Sequence, residues 1–250
     1  MSNKHRLRKQ RYKTVINATS KGQEKDIIQA LRLVEGRLKV SYGFSFSHTW
    51  DWKLSDVIAR LKRHFTDVDF FYHFESSAMR PDGGILSLLD KNGEIYPILV
   101  SEAKNQGTND LRRQEGLKKQ PPGNAVERLG KNVIGLRTAF RNETIFPFVC
   151  FGYGCDFAKG SSILDRVVTM NMFGHLCKTN LFACGPNGFF DRGSFYFREQ
   201  KWSVLEMSEI MFDIADRSIL YYLSKYGKDL FNSGHGDEPL LVQKNTKARK

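Results

Sequence analysis

Asp82, Glu102 and Lys104 stand out in this chain, because two acids and an amine at these intervals can be gathered at one end of a β-hairpin. Asp82 lies in Pro81-Asp82-Gly83-Gly84, and the other two lie in Glu102-Ala103-Lys104, just after an apolar run at 95–100. Carboxylate oxygens are hard donors that suit Mg²⁺, a cation that keeps several of its waters and also takes phosphate oxygens. Such a cation lowers the pKa of a water and neutralises charge on a scissile phosphate. A neighbouring ammonium helps to position that water or stabilises the charge that develops. A lone surface carboxylate would imply none of this. The pattern of Pro-Asp, a strand-length spacer and then Glu-x-Lys is far more specific, although a surface hairpin whose charges simply face water would contain the same residues.

The positioning elements are two strands, at 85–89 and 95–100, around Lys91-Asn92-Gly93, where Asn-Gly between apolar runs signals a hairpin. Residues i and i+2 of a strand share a face, so Glu102 and Lys104 point the same way. A three-residue loop with Gly93 in the left-handed conformation pairs Asp90 with Glu94 and, further along the ladder, Asp82 with Glu102. A two-residue loop pairs Lys91 with Glu94 and Asp82 with Ala103, which turns Asp82 to the other face. The chemistry requires the first register, or a bulge in the second.

Around this hairpin, Ile27, Ile28, Leu31 and Val34 recur with helical spacing. Residues 56–65 form a second predicted helix with Val57, Ile58, Leu61 and Phe65 as its apolar stripe and Ser55 as a candidate N-cap. The aromatic-rich segment 69–74 reads as a strand, 125–141 as a helix, and the nearly all-apolar 146–153 as a buried strand. Residues 206–231 read as largely helical with a break at 213–216, and the glycine-rich 155–200 has no clear period. The mixture predicts an α/β fold with strands sandwiched by helices. It divides into a basic flexible arm at 1–20, a single domain at 21–235 and a basic tail at 236–250.

Composition narrows the classes. The 250 residues suffice for a core without disulfide or zinc support, and 40% hydrophobic with 26% charged residues excludes a wholly disordered or collagenous chain. No apolar run approaches the roughly 18–20 residues of a membrane span, and the basic N-terminus is not followed by an apolar stretch, so neither a membrane segment nor a secretory signal is expected. Four cysteines do not make a disulfide framework, which points to a cytoplasmic protein with free thiols. Thirty-nine Lys and Arg against 27 Asp and Glu leave a net charge of +12, which suits a polyanionic partner, nucleic acid foremost, or equally a solvated basic surface. Lys4, Arg6, Arg8, Lys9, Arg11 and Lys13, with no acid among them, read as an arm along DNA phosphates. Lys244, Lys247, Arg249 and Lys250 read as a solubilising tail.

The helix opened by Gly123-Asn124-Ala125-Val126-Glu127-Arg128 has an apolar stripe of Val126, Leu129, Val133, Leu136 and Phe140. Asn124, a candidate N-cap, shares the opposite face with Glu127, Arg128 and Lys131. Asn pairs with adenine in bidentate fashion, Arg reaches a purine N7 or a phosphate, and Glu holds Arg or accepts from a base amino group. An ordinary amphipathic helix with an internal charge pair carries the same residues.

The motifs Pro81-Asp82-Gly83-Gly84 and Glu102-Ala103-Lys104-Asn105-Gln106-Gly107, followed by Gly-Asn-Ala-x-Glu-Arg at 123–128, resemble the EcoRI-type restriction endonucleases, within the wider group of nucleases with a Pro-Asp…Asp/Glu-x-Lys core. The resemblance runs from about Leu54 to Phe231. It implies a central mixed β-sheet flanked by helices, restriction-endonuclease-like, with Asp82 and Glu102 as Mg²⁺ ligands, the Ala103 carbonyl as a third, and Lys104 beside the attacking water. It implies Asn124 and Arg128 at adenines of an AATT core with Glu127 cross-linking the arginines, and Arg80, Gln106, Lys131 and Asn132 at the DNA backbone. Ile163-Leu164-Asp165-Arg166 resembles the segment that reads the outer guanine, with Thr169 where the family has a second arginine. The implied activity is that of a type II restriction endonuclease: Mg²⁺-dependent double-strand cleavage of a palindrome with an AATT core, GAATTC in full and CAATTG as its rival, leaving 5′ phosphates and 5′ overhangs. The implied partners are double-stranded DNA, a second copy of the chain as a homodimer, and a cognate DNA methyltransferase in the same cell, with no membrane. Two other readings are a structure-specific repair nuclease with the same core and a non-catalytic basic DNA-binding protein. The spacings Cys150-x4-Cys155 and Cys177-x6-Cys184 beside His175 do not fit a zinc knuckle, and Gly152-Tyr153-Gly154 is no nucleotide-binding fingerprint. Phe70, Phe71, Tyr72 and Phe74 could stack on bases, but a core strand is the expected use.

Overall fold

The computed structural model describes residues 17–71, 74–105, 107–118, 123–170, 176–182 and 193–231. The expected arm, except its last four residues, and the expected basic tail lie outside them. Helix α1 (Asn17–Tyr42) begins within the segment expected as arm. Then follow strands β1 (Phe46–Thr49) and β2 (Trp52–Lys53), helix α2 (Leu54–Lys62), and strands β3 (Ala78–Met79), β4 (Gly84–Leu89) and β5 (Ile95–Asn105). After helices α3 (Gly107–Gln114) and α4 (Gly123–Ala139) come β6 (Phe148–Tyr153), α5 (Ser162–Met170), β7 (Ser194–Arg198) and α6 (Val204–Tyr226). Strands β1-β4-β5-β6-β7 form a mixed sheet in that order, and β2 pairs with β3 in a small second sheet. The β1–β4 and β4–β5 pairs are antiparallel, whereas β5–β6 and β6–β7 are parallel. The fold is therefore α/β, a mixed sheet between helical layers.

Each face of the sheet has its own core. On one face, Ile27, Leu31, Val34 and Leu38 of α1 and Met211, Ile214 and Ile219 of α6 pack on Leu86, Leu88, Leu99, Ala103 and Phe151. On the other, Val57 and Leu61 of α2, Leu129 and Leu136 of α4, and Ile163 and Val167 of α5 cover Ile85, Val100, Phe148, Cys150 and Phe195. Strand β6 lies between two parallel neighbours and is covered on both faces, which is why its sequence is almost unbroken in apolar residues.

Four local expectations are corrected. Residues 69–71 and 74 form no strand, and Phe71 and Phe74 stand exposed; among the described residues no strand pairs with them. Helix α2 starts one residue before Ser55 without a side-chain cap; the Leu54 N–H donates instead to the Ser77 carbonyl (2.9 Å). Helix α4 starts at Gly123, so Asn124 sits in its first turn rather than at the cap. Helix α6 runs unbroken through 213–216, where its acids are satisfied: Tyr42 Oη donates to Asp216 (2.5 Å), and Thr179 Oγ1 (3.0 Å) and Arg217 Nε, one turn on (2.8 Å), donate to Asp213.

Candidate active site

The hairpin loop has the three-residue form. The Asp90 N–H donates to the Glu94 carbonyl (3.0 Å), Gly93 has φ 81°, and Asp90 Oδ1 accepts from the N–H groups of Asn92 and Glu94 (2.8 Å each). Leu89 pairs with Ile95, Leu88 with Tyr96 and Ser87 with Pro97; the register then slips, so that Leu86 pairs with Leu99 and Gly84 with Ser101. Ile98 is the extra residue, and it and Leu99 both enter the α1–α6 core, as a β-bulge demands. The bulge corrects the expected pairing of Asp82 with Glu102, since an extended β4 would now set Asp82 opposite Ala103. Asp82 reaches the site by another route. Strand β4 stops at Gly84, whose N–H donates to the Pro81 carbonyl (3.0 Å), and this turn swings Asp82 back over β5. Glycine is required twice here. Gly84 has φ 83°, and a side-chain carbon on Gly83 would strike the Ser101 side chain.

Glu102 and Lys104 share the α4 face of β5 with Val100, while Ala103 faces the α1–α6 core. Lys104 Nζ donates to Asp82 Oδ2 (3.1 Å) and contacts Glu102 Oε1 closely. The Asp82 N–H donates to Glu102 Oε2 (3.0 Å). Glu102 is buried and Asp82 is about one-third open, so the cluster opens to solvent on the Asp82 side. Burial pushes the Glu102 carboxyl above its usual range, against the pull of Lys104. Burial also works against the Lys104 ammonium, but the two carboxylates more than offset it and hold the lysine charged. Beneath them Cys150, paired with Glu102 across β5–β6, is fully buried, which keeps its thiol protonated.

The donor set fits a hard divalent cation. One ammonium already contacts both carboxylates, so the two acids are close enough to share a positive charge. Among the described residues no group of three or more His, Cys, Asp or Glu side chains gathers, so the site offers two carboxylates rather than a closed cage. That suits a cation which keeps water and takes phosphate oxygens.

The other expected site residues fall in three groups. Lys131 is exposed on α4, Arg166 is exposed on α5, and Arg80 pairs with Asp51 (3.4 Å) outside the carboxylate cluster. Asn132, expected at the DNA backbone, donates Nδ2–H to Glu102 Oε1 (3.0 Å). Gln106 lies outside the described residues, as do the side chains of Asn124, Glu127 and Arg128, whose backbone forms the first two turns of α4. Two residues were not anticipated. Gln23, on the buried face of α1, reaches the Lys104 carbonyl (3.4 Å), and a polar residue four before Ile27 on an apolar stripe is the signal that could have marked it. His48 Nε2 donates to the Gly83 carbonyl (3.3 Å) and braces the Asp82 turn; no local pattern announces it.

Known proteins give the same direction. Residues 9–170, more than half of the chain, match the family model described as restriction endonuclease EcoRI. The chain is 31% identical over 179 residues to the type II restriction enzyme RsrI of Cereibacter sphaeroides, which covers 58% of this chain and 64% of that relative, just under two-thirds of its length. It is 27% identical over 248 residues to the type II restriction enzyme EcoRI of Escherichia coli, covering 85% of this chain and 88% of the other. The mixed sheet and the length of the match agree, and this chain belongs to the EcoRI family of restriction endonucleases.

Proposed function

We propose that this chain is a Mg²⁺-dependent type II enzyme that cuts both strands of a palindrome with an AATT core, GAATTC in full, leaving 5′ phosphates and 5′ overhangs. It works as a homodimer, one active site per strand, in a cell that carries a cognate methyltransferase. The observation that supports this best is the meeting of Asp82 and Glu102 on a single ammonium at the open end of the hairpin.

Asp82, Glu102 and the Ala103 carbonyl are the groups that would hold the cation. Once bound, it supplies a more readily ionised water and neutralises charge on the scissile phosphate. The protein's own part is positional. The Asp82 N–H fixes Glu102 Oε2, and Lys104 keeps a positive charge beside both acids for the phosphate that enters. Arg80, Gln106 and Lys131 are assigned to the DNA backbone, Asn124, Glu127 and Arg128 to the adenines, and exposed Arg166 to the outer base pair.

A plasmid digest with Mg²⁺, followed by sequencing of the ends, tests this reading. Discrete fragments ending in recessed GAATTC half-sites are expected. Ends reading CAATTG would replace the outer pair only. A smear, or cutting at flaps, would mean structural specificity, and no Mg²⁺-dependent cleavage would leave a binding protein.

A further inference from the structure

Among the described side chains of helix α4, Asn132 reaches the carboxylate cluster. Asn132 lies one turn beyond Arg128 and two beyond Asn124 on the same helix. It sits between the buried Leu129 and Leu136, and is half-buried itself where Lys131 beside it is exposed. Its Nδ2–H donates to Glu102 Oε1 at 3.0 Å, while Glu102 Oε2 takes the Asp82 N–H. The Glu102 carboxylate is thus held by three elements: the turn before β4, strand β5 through Lys104, and α4 through Asn132.

The chemistry of that third donor is specific. An amide fixes the rotation of the carboxylate but adds no positive charge to compete with a cation, as a lysine or arginine there would. A carboxylate has about four lone-pair directions; Oε1 takes Lys104 and Asn132 and Oε2 takes the Asp82 N–H, so Oε2 keeps one open, and a cation that displaces the lysine gains a second on Oε1. We infer that Asn132 is a positioning residue: it sets the Glu102 carboxylate for a divalent cation and ties that carboxylate to the helix assigned to base reading. The inference rests on the proposed function for its catalytic meaning. It departs from the backbone-contact role that the resemblance implies for Asn132, and leaves that role to Lys131.

The test uses the full chain with Asn132→Ala and with Asn132→Leu, which keeps the branching at Cγ and the number of heavy atoms but lacks a donor. Circular dichroism checks that each is folded. Three quantities are measured: affinity for a GAATTC duplex in EDTA, Mg²⁺ dependence of single-turnover cleavage, and affinity of the DNA-free protein for Mn²⁺ by calorimetry. Loss of a group that orients a metal ligand typically costs about 10–100-fold in metal affinity or activity. Both variants should therefore need about 10–100-fold more Mg²⁺ for half-maximal rate and bind Mn²⁺ correspondingly more weakly, with DNA affinity in EDTA close to that of the unaltered protein. Lys131→Ala should do the reverse, weakening DNA binding with Mn²⁺ affinity unchanged. Unaltered Mn²⁺ affinity in both Asn132 variants overturns the inference, whatever happens to DNA binding. Should the unaltered protein cut no DNA, the proposed function fails by itself, and the Mn²⁺ comparison still decides the role of Asn132. Absence of Mn²⁺ binding to the unaltered protein overturns both.

Discussion

Replacing Gly84 with alanine sets the Asp82 turn against its surroundings. A left-handed φ costs a residue with a side chain about 1–2 kcal/mol, and Gly84 sits at 83°. The added carbon would also lie 2.8 Å from the Thr49 carbonyl oxygen and closer still to His48 Nε2, the group that braces the turn. Overpacking of that kind typically costs about 1–3 kcal/mol. If the turn holds, the protein loses about 2–5 kcal/mol of stability. If it opens, Asp82 Oδ2 leaves its 3.1 Å contact with Lys104, and each 1.4 kcal/mol of lost transition-state stabilisation slows cleavage about tenfold. Urea denaturation and single-turnover cleavage of a GAATTC plasmid, measured on the same preparation, cover both routes. Gly84→Ala should be at least about 2 kcal/mol less stable or cut at least about tenfold more slowly. A variant within about 0.5 kcal/mol of the original stability that also cuts at the original rate would refute the role given to this turn.

Three more predictions concern the scaffold. The buried Glu143 carboxylate accepts from Arg60 (3.2 Å), Lys225 (2.7 Å) and the hydroxyls of Tyr221 (2.9 Å) and Tyr226 (3.2 Å), joining α2 to α6. Glu143→Gln should cost about 2–4 kcal/mol, less than for a fully buried pair because both cations keep some solvent contact, and an unchanged urea midpoint would count against it. The Glu206 carboxyl is held down to about 2 from 4.5 by Arg198 and by the Ser203 cap of α6. Its contribution is present above the unfolded value and lost as pH falls, so between about pH 5 and pH 2 the original protein should lose stability more steeply than Glu206→Gln. That variant keeps the capping geometry, and because Glu206 is 45% exposed the gap at neutral pH stays under about 1 kcal/mol; parallel acid melts would contradict this. Among the described residues the buried Ser101 hydroxyl has no hydrogen-bond partner, so Ser101→Ala should leave thermal stability unchanged or raise it by up to about 1 kcal/mol, and a clear loss would reveal a partner.

How far the sequence could be read depended on how local each signal was. The hairpin was plain from Asn92-Gly93 between apolar runs, and Glu102 and Lys104 share a face because strand geometry leaves no other choice. The bulge was hidden because it falls inside an apolar stretch: Ile98 and Leu99 both face the core, and a run with no alternation does not show where the period slips. Aromatics at 69–74 suggested a strand, but β-propensity describes fit to a pleated neighbour, and among the described residues no strand pairs with 69–71 or 74. Acids at 213 and 216 suggested a break in α6 although Asp213 has Arg217 four residues on; their other partners, Thr179 and Tyr42, lie 34 and 174 residues away. Strand β7 went unseen within a glycine-rich stretch because its pairing with β6 is parallel and long-range. The same holds at the site: Asp82, Glu102 and Lys104 could be named from motif and spacing, whereas the bonds from His48, Gln23 and Asn132 depend on packing between distant elements.

Glu102→Gln is the decisive variant, because it removes one charge from the cluster and little volume. Its cleavage of a GAATTC duplex in Mg²⁺ should fall by at least about a thousandfold, the loss of roughly 4 kcal/mol of transition-state stabilisation, while its affinity for the same duplex in EDTA stays as it was. A variant that nicks the duplex at the original rate would show that the paired carboxylates are not where phosphodiester cleavage takes place.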